Sequence, residues 1–310
     1  MHPAVRPVQG FDMIDFHTLD VFTETPFAGN PLAVVLRADG LTTAQMQTIA
    51  REFNLSETIF VMAPRDPAHT ARVRIFFPTA EIPFAGHPTI GCAILLAEEA
   101  HRGDFTATIT LEEEAGLVPV SVTRKGARIT AELTAPVLPR PAGDVPVPAL
   151  IAAALGLMPD DIGPHGPGVH EGGPRFLYAP LCSLDALARA RPIEPHWSQV
   201  MTQAGVDSAY LYTPGTDCDY RARMFSPTAG IPEDPATGSA TALLASHLLA
   251  HGELPDGTTV LHLKQGIEMD RPSDLRLSID VAGGTLQAVR IAGSAVRIGA
   301  GRLRLPAAQG

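Results

Sequence analysis

Residues 71–91 read ARVRIFFPTAEIPFAGHPTIG, and residues 220–238 read YRARMFSPTAGIPEDPATG. The two stretches are copies of one segment, because seven identical residues recur 149 positions apart. The identical pairs are Arg74 with Arg223, Phe76 with Phe225, Pro78 with Pro227, Thr79 with Thr228, Ala80 with Ala229, Ile82 with Ile231 and Pro83 with Pro232. A weaker echo at an offset of 151 relates residues 47–61 to 198–212 by apolar pattern. The duplication predicts two domains of one architecture whose repeated loops face each other.

Some polar residues differ between the two copies, and this difference predicts a cleft whose two sides have different chemical roles. The three unlike positions are Glu57 opposite Ser208, Gly86-His87 with no counterpart, and Glu233-Asp234 in place of Phe84-Ala85. A duplicated scaffold with different polar groups at its seam can treat the two faces of one substrate differently.

The composition indicates an ordinary globular protein. The chain has 310 residues, which suits two domains of about 150 residues each. Its net charge of −10 disfavours non-specific binding to nucleic acids and to anionic membranes. Three cysteines without CxxC spacing argue against a disulfide framework, so we expect a reducing, cytoplasmic location.

Neither a targeting segment nor a membrane span is predicted. The N-terminus MHPAVRPVQG lacks an apolar signal region. The longest apolar stretch, residues 90–97, is far shorter than the roughly 20 residues that a membrane span needs. Met13 opens MIDFHTLDVF and resembles a natural start, so we expect residues 1–12 to be a disordered extension.

Apolar periodicity and turn signals give the order of the elements. In the first half we expect strands at about 14–22, 32–36, 57–63, 71–77, 105–111, 117–123 and 127–133, and helices at about 43–54 and 88–100. In the second half we expect helices at about 149–156, 195–205 and 240–250, and strands at 208–213 and 219–225. The helices at 88–100 and 240–250 are apolar on nearly every face, which predicts that a sheet wraps each of them.

The predicted domains follow from a proline-rich linker at residues 135–148. We expect a first domain at 13–134 and a second at 135–292. The alternating C-terminal strand, 293–306, is expected to cross back and complete the first domain's sheet.

Two loops of the same design precede the apolar helices. Gly86-His87-Pro88-Thr89 opens the first helix, and Thr237-Gly238-Ser239 opens the second. Each helix start offers unpaired N–H donors and the positive end of a dipole. Two such ends facing one cleft could hold a carboxylate; alternatively, both loops simply cap their helices.

Three polar side chains are candidates for acid–base chemistry. Glu57 begins an apolar strand, where partial burial raises a carboxyl pKa toward neutrality; the alternative is a solvated glutamate at a strand end. His87 could donate to a substrate oxygen or simply bond the loop backbone. Asp234 could hold a substrate amine or hydroxyl, or form an Asx turn. Ser239 could cap its helix and also bind substrate.

Several other kinds of site have no motif in this sequence. There is no G-x-x-x-x-G-K-[ST], no G-x-G-x-x-G after a strand, no H-E-x-x-H, no G-x-S-x-G and no metal-type His/Cys spacing. We therefore expect neither a metal nor an organic cofactor, which leaves cofactor-free acid–base chemistry.

Four motifs together resemble the PhzF family of phenazine biosynthesis-type isomerases. They are D-x-F-T-x-x-P-F-x-G-N-P at 20–31, N-L-S-E-T at 54–58, F-x-G-H-P-T at 84–89 and E-D-P-A-T-G-S-A at 233–240. The resemblance runs from about residue 14 to the C-terminal strand. It implies an α+β, diaminopimelate epimerase-like fold of two pseudo-symmetric domains, each a curved mixed β-sheet wrapped around a central α-helix.

The resemblance also implies a site and a reaction. The catalytic residues would be Glu57, His87 and Asp234. The substrate-binding residues would be Asn30, Ser56, Gly86, Pro88, Thr89, Thr237, Gly238 and Ser239. The implied reaction moves a proton between carbons of a small cyclic or aromatic-precursor carboxylate, in a homodimer, without metal or cofactor.

Two alternatives remain open from the sequence. The related epimerases and racemases use a facing pair of cysteines, and this chain has none in either loop, since Cys92 lies six residues beyond Gly86. An epimerase, racemase or dehydratase acting on an amino or hydroxy acid is the first alternative. A scaffold that binds small acids or a protein partner without catalysis is the second.

Overall fold

A computed structural model describes residues 13–307 of the chain. The extension predicted at residues 1–12 lies outside the described residues. The helices are α1 (Thr43–Phe53), α2 (Gly86–Ala100), α3 (Pro148–Ala154), α4 (Leu184–Arg189), α5 (His196–Ala204) and α6 (Gly238–Ala250).

The strands make up most of the molecule. Those of the first half are β1 (Met13–Val21), β2 (Asn30–Val35), β3 (Glu57–Met62), β4 (Ala71–Phe76), β5 (Glu81–Ile82), β6 (Phe105–Glu113), β7 (Gly116–Lys125), β8 (Arg128–Thr134) and β9 (Arg140–Pro141). Those of the second half are β10 (Gly168–Glu171), β11 (Arg175–Pro180), β12 (Ala209–Pro214), β13 (Tyr220–Ser226), β14 (Ile231–Asp234), β15 (Gly257–Gln265), β16 (Ser273–Ala282), β17 (Thr285–Gly293) and β18 (Ala295–Arg304). The predicted α+β class is confirmed.

The strand pairing repeats from one half to the other. In the first half β1–β2 is antiparallel, β2–β3 parallel, β3–β4 antiparallel and β4–β6 parallel. The second half has the same order, with β10–β11 antiparallel, β11–β12 parallel, β12–β13 antiparallel and β13–β15 parallel. The sequence duplication is therefore a duplication of topology.

The two halves exchange their last strands. β18, the last strand of the second half, pairs along its whole length with β1 of the first half. β9, the last strand of the first half, pairs with β10 of the second half. β8 and β17 also pair across the boundary, so all eighteen strands form one mixed sheet.

Each half wraps its curved sheet around one apolar helix. α2 contacts β1, β2, β3, β6, β7 and β8, and α6 contacts β10, β11, β16 and β17. Most residues of both helices are buried, as expected for helices that are apolar on every face. α2 begins at Gly86, two residues before the predicted start, and α6 begins at Gly238.

The repeated R-x-F pattern stabilises equivalent corners of the two halves. The guanidinium carbon of Arg74 lies 5.2 Å from the Phe76 ring centroid, and that of Arg223 lies 4.7 Å from the Phe225 centroid. Arg223 also donates two hydrogen bonds to Glu233, at 2.8 and 2.9 Å, and further bonds to backbone carbonyls at the end of α4. The repeated arginines thus brace the hairpins that carry the duplicated loops.

Candidate active site

A cleft of about 770 Å³ opens where the duplicated loops meet. Ile82 and its repeat Ile231 both line it, one from each half. Glu57 and Ser208 line it as well and occupy equivalent positions, since each directly precedes the residue that pairs with the repeated phenylalanine. The asymmetry noted in the sequence therefore lies inside this cleft.

Glu57 enters the cleft at the first residue of β3. Helix α1 ends at Phe53, and the left-handed conformation of the next residue, Asn54 (φ 51°), turns the chain toward the strand. The Glu57 residue is only 8% exposed. Burial, followed by the negative charge of Asp234, raises the pKa of the Glu57 carboxyl well above its ordinary value. Its Oε2 has no hydrogen-bond partner among the described residues.

Asp234, at the end of β14, has very different surroundings. Its Oδ1 accepts from Asn30 Nδ2 at 2.8 Å and from Ser56 Oγ at 3.1 Å, and its Oδ2 accepts from Thr237 Oγ1 at 2.5 Å. Burial raises the pKa of Asp234 to about 6, while these three hydrogen bonds oppose the rise. At pH 7 Asp234 is therefore mainly ionised, whereas Glu57 holds its proton more strongly than an ordinary glutamate does.

His87 and Asn30 lie next to both carboxyl groups. His87 Nδ1 is 3.5 Å from Glu57 Oε2 and 3.3 Å from Asn30 Nδ2. Burial lowers the pKa of His87 to about 3, so its imidazole is neutral at pH 7. His87 Nε2 and Asn30 Oδ1 are buried without a hydrogen-bond partner among residues 13–307. Unpaired buried polar atoms are costly, and they concentrate at functional sites.

The N-termini of the two central helices touch each other beside these residues. A Cβ added at Gly86 would lie 3.3 Å from Gly238 Cα and 3.4 Å from Ser239 N. Glycine at both positions permits this backbone contact. The two helix dipoles therefore bring their positive ends to one point at the edge of the cleft.

Most of the predicted site residues come together here. Glu57, Asp234, Thr237 and Ser239 line the cleft, Asn30 and Ser56 bond to Asp234, and Gly86 and Gly238 meet at the helix starts. His87 does not line the cleft, but its Nδ1 contacts the Glu57 carboxyl. The substrate contacts predicted for these residues stay predictions.

Thr89 and Pro88 do not reach the cleft. Thr89 is fully buried, and its hydroxyl contacts Ala85 O and Glu113 Oε1, both at 2.7 Å. Pro88 is buried in the first turn of α2. The substrate contacts predicted for both residues find no support in this arrangement, because α2 turns the two side chains into the interior.

Two residues near the site were not singled out from the sequence. Gln265, at the end of β15, contacts both Asp234 and Thr237, yet it lies about 30 residues beyond them and belongs to no motif. Arg175 is the only lysine or arginine among the cleft-lining residues that the structure describes, and it is paired with Glu171 at 3.0 Å. The sequence predicts no strand at residues 175–180, so no local pattern places Arg175 at the cleft.

Neither a metal cluster nor a membrane helix is found in the described part of the chain. Residues 13–307 contain no group of three or more His, Cys, Asp or Glu side chains placed to hold a metal ion. Among the same residues, every helix is too short or too polar to cross a membrane.

Comparison with known proteins places this geometry in a family. The family described as phenazine biosynthesis-like protein matches residues 19–301. An uncharacterised isomerase of Mesorhizobium japonicum is 43% identical over 293 residues, covering 92% of this chain and 96% of that protein. The trans-2,3-dihydro-3-hydroxyanthranilate isomerase of Pseudomonas fluorescens is 37% identical over 301 residues, covering 94% of this chain and 100% of that protein.

Solved structures give the same result. The PhzF-family phenazine biosynthesis protein of Bacillus anthracis superposes with a TM-score of 0.84 at 25% identity, covering 95% of this chain and 100% of that chain. A hydroxyproline epimerase of Agrobacterium vitis shares the fold at a TM-score of 0.59 and 15% identity, covering 94% of this chain and 93% of that chain. The diaminopimelate epimerase-like fold expected from the motifs is confirmed. The chain belongs to the PhzF family of phenazine biosynthesis-like proteins, a family of isomerases.

Proposed function

We propose that this isomerase moves a proton between two carbons of a small cyclic carboxylate, with Glu57 as the group that carries the proton. One observation supports this most strongly: two buried carboxyl groups share a cleft, and only one of them is hydrogen-bonded. Asp234 accepts three hydrogen bonds, whereas Glu57 Oε2 accepts none. Environments that push the pKa values of two neighbouring acids apart mark acid–base sites.

The reaction needs no net oxidation and no added group. The ionised Glu57 carboxylate removes a proton from carbon, so that a C–H bond breaks, an O–H bond forms and the electron pair enters the conjugated system. The same O–H then delivers the proton to a second carbon of that system. The raised pKa makes the ionised form a stronger base and suits the carboxyl to both steps near neutral pH.

The surrounding groups orient the substrate and balance its charge. Ionised Asp234 offers an acceptor for a substrate amine or hydroxyl, and neutral His87 lies 3.5 Å from Glu57 Oε2, where it can hold the position of that carboxyl group. The N–H groups of Gly238 and Ser239 lie in the first turn of α6 and form the positive end of its dipole. We assign the substrate carboxylate to these amides and to the start of α2. All of these groups come from the chain itself, so the proposal involves neither metal nor organic cofactor.

A ring-bearing carboxylate fits the walls of the cleft. Away from the carboxyl groups the lining is apolar and partly aromatic, with Phe77, Phe84, Phe176, Met201, Met224 and Val206 among its members. A cleft of about 770 Å³ is within the usual range for small-molecule sites. Because relatives at 36% and 37% identity are named trans-2,3-dihydro-3-hydroxyanthranilate isomerases, that compound is the first substrate to test.

Thiol-based racemisation has little support. Cys92 is fully buried inside α2, and burial together with Glu113 raises the pKa of its thiol. A protonated, inaccessible thiol cannot act as a base. We therefore propose a single-carboxylate route.

The test compares the wild-type protein with Glu57→Gln on trans-2,3-dihydro-3-hydroxyanthranilate and on related cyclic carboxylates. We expect Glu57→Gln to lower kcat about 100- to 10,000-fold, because the amide keeps the shape of the side chain and cannot accept the proton, and this is the contribution of a positioned acid–base group. Product formation would be followed by absorbance and chromatography.

Glu52→Gln is the matched control, since Glu52 is an exposed glutamate on the nearby helix α1. Its kcat should equal that of the wild type. Full turnover by Glu57→Gln would remove Glu57 from the mechanism. Binding of the carboxylates without turnover by the wild type would favour a non-catalytic scaffold.

A further inference from the structure

Asp234 joins the two halves of the molecule at the cleft. Two of its donors, Asn30 and Ser56, come from the first half of the chain, 204 and 178 residues away in sequence. The third donor, Thr237, is only three residues away in the second half. This third contact is controlled by a further side chain, Gln265, which is completely buried.

The orientation of the Gln265 amide is fixed by the backbone. Its Oε1 accepts from the backbone N–H of Thr237 at 3.1 Å, which leaves Nε2 on the other side. Nε2 then donates one hydrogen to Asp234 O at 2.8 Å and the other to Thr237 Oγ1 at 3.0 Å. Exchanging the oxygen and nitrogen of this amide would set two donors against each other and two acceptors against each other.

The direction of the Thr237 hydroxyl follows from this. A hydroxyl has one hydrogen, and the Thr237 oxygen already accepts from Gln265. Its own hydrogen is therefore directed at Asp234 Oδ2, 2.5 Å away. A hydrogen bond donated to a carboxylate stabilises the ionised form of the acid.

We propose that Thr237 and Gln265 are positioning residues that act through Asp234, keeping its carboxylate ionised and aimed into the cleft. The proposal gives Thr237 a role other than the predicted substrate contact, since its N–H and its hydroxyl are both occupied within the protein. It rests on the proposed function in one respect: the ionised Asp234 faces the proton-carrying Glu57. The hydrogen-bond direction itself can be tested without any substrate.

The test is a carboxyl titration followed by ¹³C NMR on protein labelled at the aspartate side-chain carbonyl carbons. The Asp234 signal is identified by its loss in Asp234→Asn. Thr237→Val keeps the shape of the side chain and removes the donor. We expect it to raise the titration midpoint of Asp234 by about one to two pH units, the range for one hydrogen bond to a charged group. Thr237→Ser retains the hydroxyl and should restore the wild-type midpoint.

Gln265→Met tests the second link. It fills similar space, frees the Thr237 hydroxyl to rotate and should raise the same midpoint by a smaller amount. If Thr237→Val does not fold, as judged by circular dichroism, the Gln265→Met titration decides the question. Thr258→Val is the matched control. Thr258 donates to Asp280 at 2.8 Å on the exposed surface and away from the cleft, so this change should leave the Asp234 midpoint where it is in the wild type.

The outcomes separate positioning from mere structural support. A purely structural role would lower the melting temperature and leave the Asp234 midpoint unchanged in both Thr237→Val and Gln265→Met, and that result would overturn the proposal. Because the titration is measured without substrate, it stands whether or not the protein turns over trans-2,3-dihydro-3-hydroxyanthranilate. Inactivity of the wild type would count against the proposed function alone.

Discussion

Glu57 and Asp234 are chemically similar acids, but only Asp234 has hydrogen-bond donors that stabilise its ionised form. The three donors around Asp234 stabilise its charge, and that charge in turn disfavours ionisation of Glu57. A carboxyl that must ionise before it can remove a proton works better as the pH rises. The two residues therefore form a coupled pair, and removing the charge of one shifts the titration of the other.

At the residue scale we expect Asp234→Asn to move the pH profile of the enzyme. In the wild type, kcat/KM should rise with pH through the raised pKa of Glu57. Without the negative charge of Asp234 the Glu57 carboxyl ionises more easily, so the rising limb should move to lower pH. Measurement of kcat/KM between pH 5 and pH 9 checks this. A limb that stays in place would show that Asp234 does not affect Glu57, and a profile that falls with pH would show that Glu57 acts first as an acid.

The sequence predicts some residues of the site and misses others. Glu57 could be singled out because the internal repeat puts Ser208 at the equivalent position. Gln265 could not, because its role depends on the end of β15 lying beside β14 and α6, which no local pattern encodes. Thr89 matched a motif, yet the helix periodicity turns its side chain toward Glu113 rather than toward the cleft.

At the scale of elements, the two central helices differ in what supports them. The Thr237 side chain makes no capping hydrogen bond to α6. Instead, the Oε1 of Gln265 accepts a hydrogen bond from the N–H of Thr237, the N-cap residue of α6. In α2 the Thr89 hydroxyl has two acceptor neighbours, Ala85 O and Glu113 Oε1, and only one hydrogen. The second hydrogen must come from a protonated Glu113. Burial raises the pKa of Glu113 to about 8, in agreement with that requirement.

We expect Glu113→Gln to stabilise the protein increasingly as the pH rises. The folded state holds a proton on Glu113 up to about pH 8, whereas the unfolded chain releases it near the ordinary value of 4.5. The contribution of protonated Glu113 to the free energy of unfolding is therefore fully present below about pH 4.5 and is lost as the pH rises toward 8. Glutamine keeps a donor for Thr89 and does not titrate. The difference in free energy of unfolding between Glu113→Gln and the wild type should grow by at most about 1.4 kcal/mol per pH unit between pH 5 and pH 8.

Urea unfolding at pH 5, 6, 7 and 8 measures this difference. The exposed neighbour Glu114, changed to glutamine, is the control and should show no such trend. A constant difference between Glu113→Gln and the wild type would mean that Glu113 is ionised in the folded protein.

Element types were easier to predict than element boundaries. The helix predicted at 43–54 forms over residues 43–53, because Thr42 and Gln45 make the expected capping box. The helix predicted at 88–100 starts two residues earlier, since glycine and histidine in the GHPT loop already have helical conformation. β5 and β9 span two residues each, too few for any periodicity to reveal.

At the scale of the whole molecule, the exchange of terminal strands ties the halves together. β18 supplies the neighbour of β1 along nine residue pairs, from Ala295 to Arg304. β9 makes the reciprocal contact, although with only two residue pairs. The cleft is lined by residues of both halves, so its geometry depends on the strand pairing that holds the two halves together. The domain boundaries, the homodimer and the cytoplasmic location stay predictions.

We expect a chain that ends at Ser294 to lose its cooperative fold. Without β18, the long strand β1 has an unpaired edge and α2 loses one wall of its sheet. Circular dichroism and urea unfolding would measure the loss. A chain that ends at Ala307 retains every described strand and should behave as the full-length protein does.

Adding a peptide of residues 295–307 to the shortened chain provides a second check. Because the missing contacts are backbone pairings with β1, the peptide should restore at least part of the cooperative transition. A shortened chain that unfolds at the same urea concentration as the full-length protein would contradict this role of β18.

The fate of the migrating proton tests the central claim about Glu57 most directly. In ²H₂O the carried proton can exchange with solvent in the cleft while it resides on the Glu57 carboxyl, which lines that cleft. We expect the wild-type protein to place deuterium at the carbon that gains a hydrogen, detected by mass spectrometry and NMR of the product, and Glu57→Gln to place none over the same time. Deuterium incorporation by Glu57→Gln at the wild-type rate would contradict the account.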